Sequence, residues 1–260
     1  MRIFNHPTHC KTITKNYFCV IALNNLCSNL SLLYKLLRYH DPKHILIFIL
    51  TQLCCLTLYS QSLHVKTGNV SYCFSALQTG DILYHDGKSL IIQGKEFPIN
   101  DIDYITIENE MIADNQIDVS YSEEEAHVTI SGNIASMITP TVTGSHITIT
   151  QDESLEEKLT YSLSGTTTDG CFTLSGNYKT QLELNGISLT NSTGPAIWLQ
   201  NDKRIDVVLV DSKENFLSDS SANPQNACFL CKGHSEWKGR GCVTLNGLAS
   251  HAIKSNVTAR

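Results

Sequence analysis

The stretch from Cys171 to Asp219 limits most tightly what this chain can fold into. Apolar pairs (Phe172 and Leu174, Leu182 and Leu184, Ile187 and Leu189, Ile197 and Leu199, Val207 and Leu209) alternate with polar residues and are cut every few positions by Gly, Asn, Ser or Asp. A period of two bounded by such residues is the pattern of short strands joined by turns, and no run here is long enough for a helix. The punctuation recurs as apolar, any, apolar, Ser or Asn, Gly at Val128–Gly132, Phe172–Gly176, Leu182–Gly186 and Val243–Gly247. Gly194–Ile197 is echoed at His251–Ile253, roughly sixty residues on, which would be three turns of a solenoid of about twenty residues each.

The same pattern runs from Ile117 onward, with Thr at outward positions (Thr129, Thr148, Thr150) suited to a pleated surface. The expectation is an all-β chain whose residues 115–260 form a parallel β-helix, with inward Val, Ile and Leu in ladders and Asn, Gly and Ser in the turns. Alternation alone also allows an antiparallel sandwich, which leaves the recurrent Gly motif without a reason. Residues 62–112 read as a separate small antiparallel β module, in which Asp86 and Gly87 give a strong hairpin signal and Pro98 marks a strand edge.

The formal net charge is -6 and the pI near 5.9, and beyond the first sixty residues only Arg204, Arg240 and Arg260 are arginines. That balance argues against nucleic acid as a partner, because such binding rests on clustered cations over phosphates. At 42% hydrophobic and 17% charged residues the chain can build a core.

Arg38, Lys43 and His44 precede an apolar run from Ile45 to Leu58, followed by Tyr59, Ser60 and Gln61. Charged, apolar and small-residue regions in that order describe a signal peptide at 41–61, and the run is short for a transmembrane span. Residues 1–40 resemble no folded domain. They read as a prefix ahead of the true translation start, with an uncleaved anchor as the rival reading. Export to the medium or the cell surface is the expected localisation.

Five of the ten cysteines fall before residue 61, which leaves Cys73, Cys171, Cys228, Cys231 and Cys242 without the spacing of a disulfide framework. Cys228 and Cys231 lie three apart in a strand-like run, so they point to opposite faces, and no second pair completes a zinc site. They are expected to pack as small apolar residues.

Leu182–Ile197, Val207–Asn215, Gly239–Gly247 and His251–Ser255 together resemble a carbohydrate-binding domain family of bacterial secreted and surface proteins, built as a right-handed β-helix and pectate-lyase-like. The resemblance covers about residues 115 to 260. It implies polysaccharide binding, with polygalacturonate and cellulose as ligand classes, and bound calcium. Members of that family continue for several more turns, with acidic residues soon after the Ala-Ile element, whereas this chain has Asn256 there and stops at Arg260. The domain is therefore expected to be truncated at its C-terminus, with self-association through the open last turn and an association with the cell envelope.

In the segment Ala196–Gln200, Ile197 and Leu199 share the inward face, so Trp198 points outward. An exposed indole is a flat apolar platform, and Trp198 with Gln200 forms the candidate carbohydrate-binding pair. Trp237, which alternates with His234, Glu236 and Lys238, is expected in the core. Asp211, Glu214 and Asp219 fall around the turn after the Ile205–Val210 strand and are the candidate calcium ligands, bridging the protein to a uronate chain. The enzymatic alternative is a polysaccharide lyase, which needs a base beside the substrate carboxylate, and Lys203 and Arg204 are the only basic pair in the central turns. A non-catalytic surface adhesin without sugar specificity is the third reading.

Overall fold

The computed structural model describes residues 61–76, 78–255 and 257. The prefix at 1–40 and the export segment expected at 41–61 lie outside these residues, apart from Gln61. The strands, in chain order, are β1 (Ser62–Thr67), β2 (Val70–Ser75), β3 (Leu83–His85), β4 (Ser89–Ile92), β5 (Lys95–Pro98), β6 (Tyr104–Glu108), β7 (Gln116–Ser122), β8 (Glu125–Ser131), β9 (Ile138–Thr143) and β10 (His146–Gln151). They continue as β11 (Leu159–Thr167), β12 (Cys171–Ser175), β13 (Thr180–Thr190), β14 (Ile197–Leu199), β15 (Ile205–Leu209), β16 (Glu214–Ser218), β17 (Ala227–Cys231), β18 (Ser235–Gly239), β19 (Cys242–Asn246) and β20 (His251–Ser255). Two short 3-10 segments, Ile99–Asp101 and Gly132–Met137, are the helical turns among the described residues. The chain is all-β.

The described residues divide into two compact units: 61–64 with 74–112, and 65–73 with 113–257. In the first unit β3, β4 and β5 form an antiparallel sheet. Its β4–β5 hairpin turns at Gln93 (φ 48°) and Gly94 (φ 79°), between the paired residues Ile92 and Lys95. Positive φ at both central residues matches the right-handed twist of the flanking strands. Asp86 and Gly87 carry the same signs at the end of β3.

The second unit holds mixed sheets. Its N-terminal part contains two antiparallel hairpins, β7–β8 and β9–β10, so residues 116–151 do not follow the same-sense turns expected from residue 115. From β10 onward the pairing turns parallel. One ladder runs β10-β12-β14-β17-β20, a second runs β7-β11-β13-β15-β18, and a third stacks the C-terminal half of β13 on β16 and β19.

Register explains why alternating apolar residues specify these ladders. Ile147, Phe172, Ile197, Phe229 and Ile253 come one beside the next in the first ladder. Ile117, Tyr161, Leu182, Val207 and Trp237 do so in the second, and Leu189, Leu217 and Leu245 in the third. All of these are fully buried except the last of each ladder, Ile253, Trp237 and Leu245, which are half-buried. Each fully buried side chain of this size contributes about 1.5 to 3 kcal/mol, and a one-residue slip would turn every one of them outward.

The Ala-Ile echo spans two steps and not three: Ile197 pairs with Phe229, and Phe229 with Ile253. The steps are unequal and longer than the twenty residues expected, because each passes through turns of different length.

Asparagine recurs at those turns because its amide replaces lost backbone partners. Asn191 Oδ1 accepts from the amides of Thr193 and Gly194 while its Nδ2 donates to the Pro195 carbonyl at 2.7 Å. Asn215 Oδ1 accepts from Gly186 and Ile187 at 2.9 and 3.0 Å, and its Nδ2 donates to the Cys242 carbonyl at 2.9 Å, which spans neighbouring turns. Asn201 and Asn223 are buried in the same kind of role, Asn201 donating to the Tyr178 carbonyl and Asn223 to Asp219 and Ala227.

Candidate functional site

The outward face of the β12-β14-β17-β20 ladder carries a cleft of about 550 Å³, with Ser175, Asn177, Trp198, Gln200, Lys232 and Lys254 among its lining residues. Alternation places them there. With Ile197 and Leu199 fully buried, Trp198 faces out and is half-buried. It is in register with Thr173 on one side and Leu230 on the other, and Leu230 with Lys254. Leu230, only 8% exposed, extends the apolar floor from the indole.

A second row lies one outward position further along. Gln200 donates its backbone amide to the Leu174 carbonyl at 2.8 Å, and Lys232 donates its own to the Leu199 carbonyl at 2.8 Å, so the ladder spacing persists past the strand ends. Gly176 borders this row, and a Cβ there would collide with the side chain of Gln151. Gln225 closes one margin, held by its amide on Asn223 Oδ1 at 2.9 Å. The lining therefore presents an indole, amides, a hydroxyl and two ammonium groups, and none of its described residues is Asp, Glu or His.

Trp198 and Gln200 thus share one cleft. The sequence reading did not reach Ser175, Asn177, Gln225, Lys232 and Lys254. A signal was present for one of them: Lys232 stands two positions beyond Leu230 as Gln200 does beyond Trp198, and register makes Trp198 and Leu230 neighbours.

Asp211, Glu214 and Asp219 are not brought together. Glu214 opens the five-residue strand β16 and Asp219 follows its end, about 16 Å away at the rise of an extended chain, while Asp211 lies before the strand. Asp211 is paired with Arg240 at 3.2 Å. Asp219 is 1% exposed: its Oδ1 accepts from the Leu248 amide at 2.6 Å and its Oδ2 from Asn223 Nδ2 at 2.8 Å. Calcium needs six to eight oxygens converging on one point. These three residues do not fit that ion.

Lys203 and Arg204 are held in ion pairs. Lys203 lies 3.9 Å from Asp202, while Arg204 donates through Nε to Asp206 at 2.9 Å and through Nη2 to Glu236 at 2.5 Å. The hydrogen bond to Asp206 and the charges of both carboxylates push the guanidinium pKa up, the opposite of what a proton-abstracting base requires.

Asp206 is the hub of that cluster. Lys158 Nζ stands 2.7 Å and Lys238 Nζ 3.3 Å from its Oδ2. Burial pushes its pKa up, but the hydrogen bonds from Lys158, Arg204 and Lys238 outweigh it and hold the carboxyl well below the usual range.

Burial works against Cys171, Cys228 and Cys231 as nucleophiles. Burial pushes Cys228 up to about 12 and Cys231 up to about 11. Cys171 Sγ lies 3.4 Å from His146 Nδ1, with Asp169 3.9 Å from the other ring nitrogen, but burial raises this thiol too, and attack requires the thiolate.

Residues 143–258 match the model of a family described as carbohydrate-binding domain-containing proteins. The matched segment contains the whole cleft. A protein of that description from Acetivibrio thermocellus is 27% identical over 103 residues, covering 36% of this chain and 36% of the relative. Among solved structures, the gadolinium derivative of a polysaccharide lyase-like protein from C. thermocellum aligns with a TM-score of 0.42 and 21% identity, over 50% of this chain and 52% of that one. The chain thus spans about a third of the curated relative and half of the solved one.

Proposed function

We propose that the second unit binds a polysaccharide non-catalytically, along the cleft centred on Trp198. The parallel ladders beyond β10 are read as successive coils of a right-handed β-helix, pectate-lyase-like in form, whose outward rows offer one contact per strand. Neighbouring strands lie about 4.8 Å apart, close to the repeat of one pyranose in an extended polymer, so a chain laid across β12, β14, β17 and β20 meets each strand with one sugar.

The observation that carries this reading is the half-buried, outward indole set between amide and ammonium side chains, in the segment that matches the carbohydrate-binding family. An indole contributes flat apolar area at little entropic cost, which suits the apolar face of a sugar, while the amides of Gln200 and Gln225 suit its hydroxyls. The described lining holds neither the carboxyl pair that glycoside hydrolysis uses nor a metal-bridging carboxylate, which favours binding without turnover. The ligand classes proposed are plant cell-wall polymers, polygalacturonate and cellulose, met outside the cell after export through the apolar segment at 41–61.

Affinity electrophoresis of the wild type and of Trp198→Ala on both polymers tests the assignment. The variant should bind more weakly by about 1 to 3 kcal/mol, the size of a recognition hot spot, while unfolding at the wild-type temperature. Equal retention of both proteins on both polymers would remove the cleft from the site.

A further inference from the structure

Lys232 and Lys254 raise a question that neutral sugar binding does not answer. The chain carries a net charge of -6, yet the only charged residues among those lining the cleft are these two lysines. Both are exposed. Five cations elsewhere in the same unit are held by carboxylates: Lys158 and Lys238 by Asp206, Lys203 by Asp202, Arg204 by Asp206 and Glu236, and Arg240 by Asp211. Among the described residues no carboxylate pairs with either cleft lysine.

Their positions follow from register. Lys254 stands beside Leu230, which stands beside Trp198, so it lies in the row of the indole two strands along. Lys232 lies in the adjacent row, tied by its backbone amide to Leu199. The two ammonium groups therefore flank the apolar floor on the side where a bound polymer would continue.

We propose that Lys232 and Lys254 let this cleft take an anionic glycan by direct ammonium contact, with no metal ion between protein and sugar. The inference rests on the reading of the cleft as a polysaccharide site. A carboxylate or sulfate on a pyranose is met by a charge-assisted hydrogen bond from each lysine, and such bonds are stronger than those between neutral groups. The carboxylates that a bridging cation would need, Asp211, Glu214 and Asp219, do not line the cleft.

The experiment compares wild type, Trp198→Ala and the double variant Lys232→Ala/Lys254→Ala on three polymers: polygalacturonate, its fully methyl-esterified form and a sulfated galactan. Each is measured with and without a chelator and over a range of sodium chloride. The wild type should hold polygalacturonate or the sulfated polymer about ten- to a hundredfold more tightly than the methyl ester, the range expected of charge-assisted bonds. Added salt should erode that preference, and the chelator should leave it unchanged. The double variant should lose the preference, holding the acidic polymers no more tightly than the methyl ester, and Lys232→Arg/Lys254→Arg should recover most of it. A preference for only one of the two anionic polymers supports the inference and names the anion.

Loss of acidic-polymer binding on chelation would overturn the proposal, as would a double variant that retains the preference or a wild type that lacks one. If Trp198→Ala binds every polymer as the wild type does, the cleft itself is not the site. If it weakens all three while the lysine variant still prefers the anion, the charge inference alone fails.

Discussion

Trp198 and Trp237 show how one residue type acquires two roles from its place in the alternation. Trp198 sits opposite the buried face of β14, in register with Leu230 and Thr173. Trp237 points the other way, in register with buried Val207, with its ring 4.8 Å from that of Phe229 at 58°. It is half-buried, and its indole N–H is buried without a hydrogen-bond partner among the described residues. Trp237→Ala should therefore cost about 2 to 3 kcal/mol, short of the 3 to 5 typical of a fully buried aromatic. Chemical denaturation at equilibrium reads this directly, and a loss within error of zero would place the ring outside the packed interior. Trp237→Phe should cost less than the alanine change, since it keeps the ring stack and removes the unpartnered donor.

At the scale of elements, the turns carry more of the specification than their composition suggests. Asn215 accepts two amides and donates to Cys242, so Asn215→Ala leaves three backbone groups without that partner. A destabilisation of about 2 to 3 kcal/mol is expected from unmet buried groups, measured as a fall in denaturation midpoint at constant slope. Asn215→Asp should keep the two accepted bonds and lose the donated one, with a smaller effect.

The Asp206 hub joins the approach to β11 with β15 and β18 through Lys158, Arg204 and Lys238. Its carboxyl is held below the ordinary range in the folded protein, so the unfolded chain takes up the proton first as pH falls. This contribution is fully present above the unfolded value of about 3.9 and is lost as pH drops below it toward the depressed folded value. Asp206→Asn should lower stability at pH 7 by about 1 to 2 kcal/mol, a moderate figure because its cationic partners are well exposed, and should flatten the acid limb of the stability curve. An unchanged acid limb in the variant would assign acid sensitivity elsewhere.

For the whole molecule, what could be read from residues alone divides along physical lines. Period-two alternation is local, so the all-β class, the short strands and the outward Trp198 were legible. Pairing partners are not local: Ile197 meets Phe229 and not a residue twenty positions on, because the loop through Asp219 and Asn223 lengthens that step. The antiparallel hairpins at β7–β8 and β9–β10 share the same alternation as the parallel strands, so nothing in their pattern marked the change of direction. Asp219 looked like a ligand because an acid in a turn usually meets solvent, whereas here the Leu248 amide and Asn223 bury it. Lys232 and Lys254 were invisible as a pair because only register across β14, β17 and β20 sets them beside the indole.

The chain holds two tryptophans, Trp198 and Trp237, which makes a direct test of the central claim available. In a Trp237→Phe background, Trp198 is the sole indole fluorophore, and its emission reports on the cleft. Titration with soluble oligogalacturonate or cello-oligosaccharide should shift and saturate that emission, with a midpoint matching the affinity of the wild type, because a sugar seated on the ring displaces its water. Saturable binding to the same ligands with Trp198 emission unmoved would contradict the account.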